Sequence, residues 1–148
     1  MIERAMRTNC VATVYNRYIV SGAEHYQRTV IGNVAWFNTK ASNVLRSGLL
    51  AADSAVIYVP LSNGANYIDP KPWTALTVKT GFWTLAVGDV IVKGLVTDEI
   101  HDAVVSPPSV AFTMTNLKAA HDDVITIKSV DTFDMGSASL RHWKVSGS

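Results

Sequence analysis

Cysteine is almost absent from this sequence, since Cys10 is the only one among 148 residues. A single thiol excludes both an intrachain disulfide and a zinc site built from several cysteines, so packing has to hold the fold. This cysteine usage is typical of the reducing cytosol. Residues 1–9 carry charge and lack the apolar stretch of a secretory signal, and no apolar run suits a membrane-spanning helix. We therefore expect no contact with a membrane.

Charged residues are also scarce, at 17% of the chain against about 25% in a typical soluble protein. The 13 basic and 12 acidic residues give a formal net charge of +1, and the basic ones are scattered along the chain. A dedicated nucleic-acid-binding protein usually has a concentrated basic face. The composition instead favours a subunit whose uncharged surface is covered by neighbouring subunits.

Patterns that would support catalysis are missing as well. The glycines at 81, 88 and 94 fit neither the dinucleotide-binding spacing nor the Walker spacing. Histidine stands beside carboxylates at residues 101–102 and 121–123, but adjacent side chains diverge, and no third histidine at helical spacing completes a metal site. We therefore predict a protein that is not an enzyme and that uses no metal and no cofactor.

Three single residues could still carry chemistry. Cys10 would need a histidine base and a lowered pKa to act as a nucleophile, and the sequence indicates neither, so we interpret it as a small core residue. Asp53 and Asp89 stand beside apolar strands, where burial could raise the pKa of a carboxyl group. Because Gly88-Asp89 is a common turn dipeptide, we interpret Asp89 as a turn residue and not as a functional acid.

Alternating β-branched and aromatic residues, separated by turn dipeptides, predict a chain of strands. The central stretch is Gly81 to Val96, which we interpret as a corner of three strands with a weak continuation to Ile100. Helical turns are expected after Pro72 and after a cap at Thr115, and residues 39–48 are expected to form a loop. The other predicted strands are 11–18, 25–31, 34–38, 54–59, 67–68, 124–130 and 140–145.

These elements predict a single all-β domain over residues 1–148, a small barrel or sandwich with long loops and one or two short helical turns. Residues 1–9 are expected to form a mobile N-terminal arm. Residues 101–114 are the longest irregular stretch, and Pro107-Pro108 fixes part of it in an extended conformation. A loop this long in a compact domain is usually functional, so we predict that it makes contacts.

The aromatic residues could also bind a ligand by stacking, although we expect most of them in the core. Basic residues flank an aromatic one at 141–144, but Trp143 and Lys144 fall on opposite faces of a strand there. Exposed tryptophans, with Trp73 and Trp143 as the candidates, would be the basis of one alternative function, a carbohydrate-binding or ligand-binding β-module.

Six segments spread along the chain carry a resemblance to a known family. They are Tyr15-Asn16-Arg17-Tyr18, Tyr26 to Ile31 leading to Val34-Ala35-Trp36, Gly48 to Asp53, Tyr67 to Lys71, Gly88 to Gly94, and His142 to Val145. Together they resemble small phage and prophage proteins described as minor capsid or head–tail connector components of tailed phages of Gram-positive bacteria. The shared residues serve packing and turns, so the resemblance transfers no functional residue.

The resemblance implies a structural protein at the neck of the virion. It would be a head-completion or stopper-like subunit in a homo-oligomeric ring, a hexamer or dodecamer, between the portal or its adaptor and the tail. Phage DNA would pass through this ring without specific binding, which agrees with the low net charge. The subunit would be made in the cytoplasm of the host bacterium. A tail terminator or tail-tube-associated ring protein is the alternative within the same virion.

The loop from Asp102 to Met114 is then the candidate interaction site, either in the lumen of the ring or docked on the next ring. The residues expected to make its contacts are Asp102, Val105, Ser106, Pro107, Pro108, Ser109 and Phe112. The termini are predicted to become ordered on assembly.

Overall fold

The computed structural model describes residues 7–45, 48–100, 112–137 and 140–148. Most of the regular structure in them is extended, which confirms the all-β prediction. The strands are β1 (Cys10–Val20), β2 (Ala23–Leu45), β3 (Gly48–Pro60), β4 (Val90–Lys93), β5 (Val124–Phe133) and β6 (His142–Gly147). The helices are α1 (Pro70–Ala75) and α2 (Met114–Ala120), with a short 3-10 turn at Leu61–Asn63.

The six strands of the described residues close into a barrel in the order β1-β2-β3-β6-β5-β4. Every neighbouring pair is antiparallel. The predicted hairpin between the first two strands is confirmed, with Val20 paired to Ala23 across a Ser21-Gly22 turn. Closure pairs the strands on both sides within the barrel, so exposed strand edges arise only where a strand continues beyond it.

Gly32 allows β2 to be one long strand where the sequence predicted a break at Gly32-Asn33. The pairing of β2 with β1 shifts between Ala12 and Thr13, which marks a β-bulge. Gly32 lies in this bulge with φ +83°, a conformation that residues with a side chain rarely adopt. The strand therefore bends at the glycine and continues past it.

The prediction of a loop at residues 39–48 is wrong. Residues 39–45 continue β2, and β3 begins at Gly48, so the two strands remain paired up to Leu45 and Gly48. The sequence here is rich in small and polar residues and lacks the alternation of a half-buried strand. Pairing between the two strands defines this hairpin.

The stretch 81–96 is not the predicted corner of three strands. Only β4 is a strand, and Trp83 forms an isolated bridge with Tyr67. The backbone of Thr84 is bound by a side chain instead, because Asn16 Nδ2 donates to Thr84 O at 2.6 Å and Thr84 N donates to Asn16 Oδ1 at 3.2 Å. Backbone N–H and C=O groups that are hydrogen-bonded to a side chain need no neighbouring strand.

Residues 95–100 do not continue the sheet either, for the same reason. Val96 N donates to Thr13 Oγ1 at 3.0 Å, and Arg28 Nη1 donates to Val96 O at 3.0 Å. Side chains of β1 and β2 therefore take the place of a neighbouring strand along this segment.

Three aromatic rings pack together between the irregular segment before β4 and the barrel core. The ring centroids of Tyr67, Trp83 and Trp143 lie 4.4 to 5.8 Å apart. Trp83 is 2% exposed, and its Nε1 donates to Ala65 O at 3.0 Å. Edge-to-face packing of this kind adds to the stabilisation that comes from burying the rings.

The two helices lie close to their predicted positions. α1 begins at Pro70 and buries Trp73. α2 begins earlier than predicted, because the N-cap is Thr113 and not Thr115. Thr113 Oγ1 accepts from Asn116 N at 3.3 Å, and Asn116 Oδ1 accepts from Thr113 N at 2.9 Å, which is a capping box. Neither helix of the described residues has the length and apolar character needed to span a membrane.

Asn9, the last residue of the predicted arm 1–9, is bound to β2. Its backbone N donates to Val34 O at 2.9 Å. Its side chain donates to Trp36 O at 3.0 Å and accepts from Trp36 N at 2.9 Å. The arm prediction therefore does not extend to Asn9, and residues 1–6 lie outside the described residues.

We expect Trp83→Ala to lower the free energy of unfolding by about 3–5 kcal/mol, because it removes a buried indole and leaves a cavity between two other rings. Urea denaturation followed by circular dichroism measures this loss. Val78→Ala is the matched control, since Val78 is 66% exposed in the same region of the chain and should cost less than about 0.5 kcal/mol. Equal, small losses in both variants would contradict the role given to Trp83.

Candidate assembly surface

The hairpin formed by β2 and β3 extends beyond the barrel. β2 pairs with β1 only as far as Val34, and β3 pairs with β6 only from Ala55 onward. Between these limits, residues 39–45 pair with residues 48–54 over seven successive positions without a register shift. We call residues 39–54 the hairpin extension. Six steps of about 3.4 Å give it a length of roughly 20 Å.

The hairpin extension lacks the support that strands normally have. Each of its strands pairs only with the other, so both outer edges carry backbone groups without a strand partner among the described residues. A two-stranded ribbon of this kind is at best marginally stable alone in water, and open edges readily pair with other chains. In the sequence, residues 46–47 are flanked by two residues on each side, of which three are apolar: Val44, Leu45, Gly48 and Leu49.

Four ring side chains form a continuous row across four neighbouring strands. Phe37 of β2 lies 5.8 Å from Tyr58 of β3, Tyr58 lies 5.3 Å from His142 of β6, and His142 lies 5.0 Å from Phe133 of β5, all between ring centroids. We call these four residues the aromatic row. The two ends of the row are exposed, Phe37 at 55% and Phe133 at 47%.

The aromatic row lies on the outer surface of the barrel. Trp36, Ile57 and Trp143, which neighbour the row residues along their strands, belong to the buried core cluster, and side chains alternate between the two faces of a strand. A groove of about 270 Å³ runs beside the row, lined by Arg7, Ala35, Phe37, Tyr58 and His142. The row and the groove beside it are therefore a candidate contact surface.

The sequence predicts that Phe37 faces outward, but it does not predict which side chains lie beside it. Phe37 follows the core residue Trp36, so the alternation of a strand already predicts that its ring faces outward. The neighbours of Phe37 could not be predicted, because they depend on the pairing of β3 with β6 and of β6 with β5. The pairing of β3 with β6 joins segments that are far apart in the chain, whereas β5 and β6 are consecutive strands.

Most of the interaction loop predicted from the sequence lies outside the described residues. This applies to Asp102, Val105, Ser106, Pro107, Pro108 and Ser109. Phe112 is described, and it is half-buried. It packs against a second core cluster that includes Tyr15, Val92 and Leu117. Packing is thus a role of Phe112 that the loop prediction did not include.

Asp89 is a buried carboxylate that ties β1 to the turn before β4. It is 3% exposed. Its Oδ1 accepts from Arg17 N at 2.9 Å, and its Oδ2 accepts from Asn16 Nδ2 at 2.7 Å and from Ala86 N at 3.1 Å. Burial raises the pKa of this carboxyl group to about 6, while the three hydrogen bonds oppose the rise. The turn interpretation is correct for the backbone, but the side chain also joins two parts of the fold.

The remaining candidates for chemistry are dispersed. His121 Nε2 lies 3.5 Å from Asp98 Oδ2, and the described residues contain no group of three or more potential metal ligands. Residues 101–102 lie outside the described part of the chain. Cys10 is half-buried against the core. Burial raises the pKa of its thiol, with a lowering effect from Lys93 and a raising one from Asp123.

The tryptophans do not provide a ligand platform. All four are at most 6% exposed: Trp36, Trp73, Trp83 and Trp143. The expectation that most aromatic residues lie in the core is therefore confirmed for tryptophan. The alternative of a carbohydrate-binding module depended on exposed tryptophans, and none of the four is exposed.

We expect the stability of the protein to carry a pH-dependent contribution from Asp89. Folding raises the pKa of this group from about 3.9 to about 6, so its contribution is complete below about pH 4 and is lost as the pH rises through about 6. Relative to Asp89→Asn, which does not titrate, the wild type should lose about 2 kcal/mol between pH 4 and pH 7, out of about 3 kcal/mol over the whole titration at about 1.4 kcal/mol per pKa unit.

Urea denaturation of both proteins at intervals from pH 4 to pH 7 measures this difference. Glu24→Gln is a control of opposite sign, because a hydrogen bond from Tyr26 and the contact with Arg17 lower the pKa of Glu24. Its contribution should be lost as the pH falls. A difference between wild type and Asp89→Asn that does not change with pH would refute the assignment.

Comparison with known proteins gives one family. The sequence matches the model of DUF6751, a family of unknown function, over residues 7–148, a range that includes every strand of the barrel. No curated protein and no solved structure matches it. Because the family model covers nearly the whole chain, the protein belongs to the DUF6751 family.

Proposed function

We propose that the protein is a structural subunit of a tailed-phage virion, a head-completion or stopper-like head–tail connector that forms a homo-oligomeric ring at the neck. The observation that carries this proposal is the hairpin extension, which leaves a closed barrel with two unpaired edges. An open-edged ribbon is marginally stable alone and pairs readily with another chain. A ring subunit can place it against a neighbour.

The closed barrel supports the same proposal. Because each barrel strand is paired on both sides, assembly does not depend on opening the sheet, and the subunit can fold before it assembles. The hairpin extension and the aromatic row are then separate surfaces available for contact. Head-to-tail contact between two different surfaces of identical subunits generates a ring when the rotation closes.

The charge of the chain is compatible with a channel for DNA. Lys and Arg number 13 and Asp and Glu number 12, so the chain as a whole offers almost no net attraction to phosphate. Each phosphate that a protein neutralises adds salt-dependent affinity. A near-neutral lumen would let DNA pass without being retained.

A tail terminator or tail-tube-associated ring protein remains the alternative, since it would use the same surfaces. Its position in the particle separates the two proposals. Electron microscopy of virions carrying a labelled copy of the chain places the label either at the neck or along the tail.

Removal of the hairpin extension is the test of the proposed function. Residues 41–52 are replaced by an Asn-Gly turn, which preserves the barrel and its neighbouring strand ends. In a phage or prophage whose own copy is disrupted, the wild-type chain should restore joined, infectious particles. The trimmed chain should fold and leave heads and tails unjoined. Infectious particles that form without the chain would refute the proposal.

The predicted loop is tested separately by deleting residues 105–109. We expect a folded subunit that fails to assemble or particles that fail to retain DNA, and both are measured in the same complementation assay. Normal infectious particles from this deletion would remove the loop from the proposed function.

A further inference from the structure

The outer edge of β2 along residues 24–30 has no strand beside it, whereas the outer edge of β1 is occupied. β1 pairs on its far side with β4 from Ala12 to Tyr15, and farther along Arg17 N donates to Asp89 Oδ1 at 2.9 Å. β2 pairs with β3 only from Ala35 onward. Among the described residues, no other backbone group bonds to the outer edge of residues 24–30.

The turn at Ser21-Gly22 shows which backbone groups of β2 face outward. Both turn residues have positive φ, +50° and +79°, as in the type I′ turn of a two-residue hairpin. Because hydrogen-bonded and non-bonded pairs alternate from such a turn, the N–H and C=O groups of Glu24, Tyr26 and Arg28 point away from β1. Arg17, the partner of Tyr26 in the ladder, agrees with this, since its N–H also points out of the hairpin, to a carboxylate.

Open grooves lie beside both ends of this edge. One of about 250 Å³ borders Glu24 to Tyr26, and one of about 360 Å³ borders Thr29 to Gly32. An open strand edge readily pairs with another chain. Three outward-facing residues on each of two such edges exchange about six hydrogen bonds when they pair.

The side chains on this edge are complementary to a second copy of themselves. When two β2 edges pair antiparallel about a two-fold axis at Tyr26, Glu24 of each copy lies directly opposite Arg28 of the other. Opposite charges in this position stabilise an antiparallel pair, and like charges destabilise it. Registers shifted by one or two residues leave these charges opposite uncharged residues or place identical charges face to face. The sequence therefore selects one register.

Both charged side chains keep the capacity for a contact between copies. Glu24 accepts from Tyr26 and contacts Arg17 Nε at 3.1 Å, but a carboxylate has about four lone-pair sites. Arg28 uses Nε for Glu99 at 2.7 Å and Nη1 for a backbone carbonyl at 3.0 Å. Its Nη2 has no partner among the described residues, so this nitrogen remains for a carboxylate of a second chain.

We propose that two copies of the free chain form a two-fold symmetric dimer by pairing their β2 edges antiparallel about Tyr26. The contact is isologous, because the same surface serves on both copies. It stops at two chains and covers an edge that would otherwise be open to aggregation. This inference goes beyond the proposed ring, since an isologous contact does not by itself build a ring of six or twelve subunits.

Charge reversal tests the register with full-length chains in sedimentation velocity, over concentrations up to the solubility limit. Glu24→Arg and Arg28→Glu each place like charges across the axis, and the double variant restores opposite charges. The matched controls are Arg17→Gln and Glu99→Gln, which remove the intrachain partners of Glu24 and Arg28 without changing the edge. Circular dichroism verifies that each variant is folded.

We expect the wild type and both controls to dimerise reversibly, and each single reversal to dimerise at least about tenfold more weakly. The double reversal should recover most of the wild-type affinity. A mixture of the two single variants should form a 1:1 heterodimer, because both of its cross-strand contacts again join opposite charges.

A cross-link measures the same register without changing a charge. In the proposed dimer, His25 of one copy lies opposite Gln27 of the other in a non-hydrogen-bonded pair, with Cα atoms about 4.5 Å apart, a distance that suits a disulfide. In chains that also carry Cys10→Ser, His25→Cys mixed with Gln27→Cys should cross-link on mild oxidation, and either variant alone should cross-link far less. This measurement decides the matter if the reversal variants do not fold.

Three outcomes would overturn the inference. They are a wild type that stays monomeric at every concentration, single reversals that dimerise as tightly as the wild type, and a mixture of cysteine variants that cross-links no better than either variant alone. None of these measurements involves a virion. Failure of the dimer in solution is therefore distinct from failure of the proposed function, which would appear as absence of the chain from phage particles.

Discussion

The pairing of β3 with β6 determines where the barrel closes and where the hairpin extension begins. It closes the barrel, and it extends only from Ala55 to Pro60 on the β3 side. Among the described residues, the part of β3 before Ala55 consequently pairs with β2 alone. The same pairing brings Tyr58 beside His142 and so creates the middle of the aromatic row. Closure of the core and the two candidate contact surfaces thus have one origin.

Side chains of β1 form hydrogen bonds with the backbone on both sides of β4, where no neighbouring strand does so among the described residues. Asn16 binds both backbone groups of Thr84 and donates to Asp89, and Thr13 binds the backbone on the other side of β4 at Val96. These polar groups are buried, and a buried polar group is costly unless it is bonded. Removing one partner would therefore loosen the irregular segments on both sides of the strand.

Much of the fold could be predicted from the sequence, because β1, the first part of β2, β5 and the turn at Ser21-Gly22 follow local rules of alternation and turn chemistry. The segments around β4 could not be predicted, since Phe82 to Val87 have the composition of a strand but Asn16, distant in sequence, binds the backbone of Thr84 in place of a neighbouring strand. The hairpin extension was missed because its residues lack the alternation that burial of one face produces.

The candidate site was harder to predict than the fold. The sequence directed attention to the loop at 101–114 through its length and its prolines, which are local signals. The aromatic row has only a weak local signal, since its central contact, between Tyr58 and His142, arises from the long-range pairing of β3 with β6. Surfaces that arise from long-range pairing need the fold before they can be recognised.

Amide hydrogen exchange measures whether a neighbouring chain covers the hairpin extension. Opening of a ribbon with two unpaired edges has a small free energy, so its amides exchange quickly unless a neighbouring chain covers it. If the subunits join through this ribbon, residues 39–54 should exchange rapidly in the dilute monomer and be strongly protected in the assembled particle, with little change in β5. Equal exchange of the hairpin extension in both states would show that no neighbouring chain covers it.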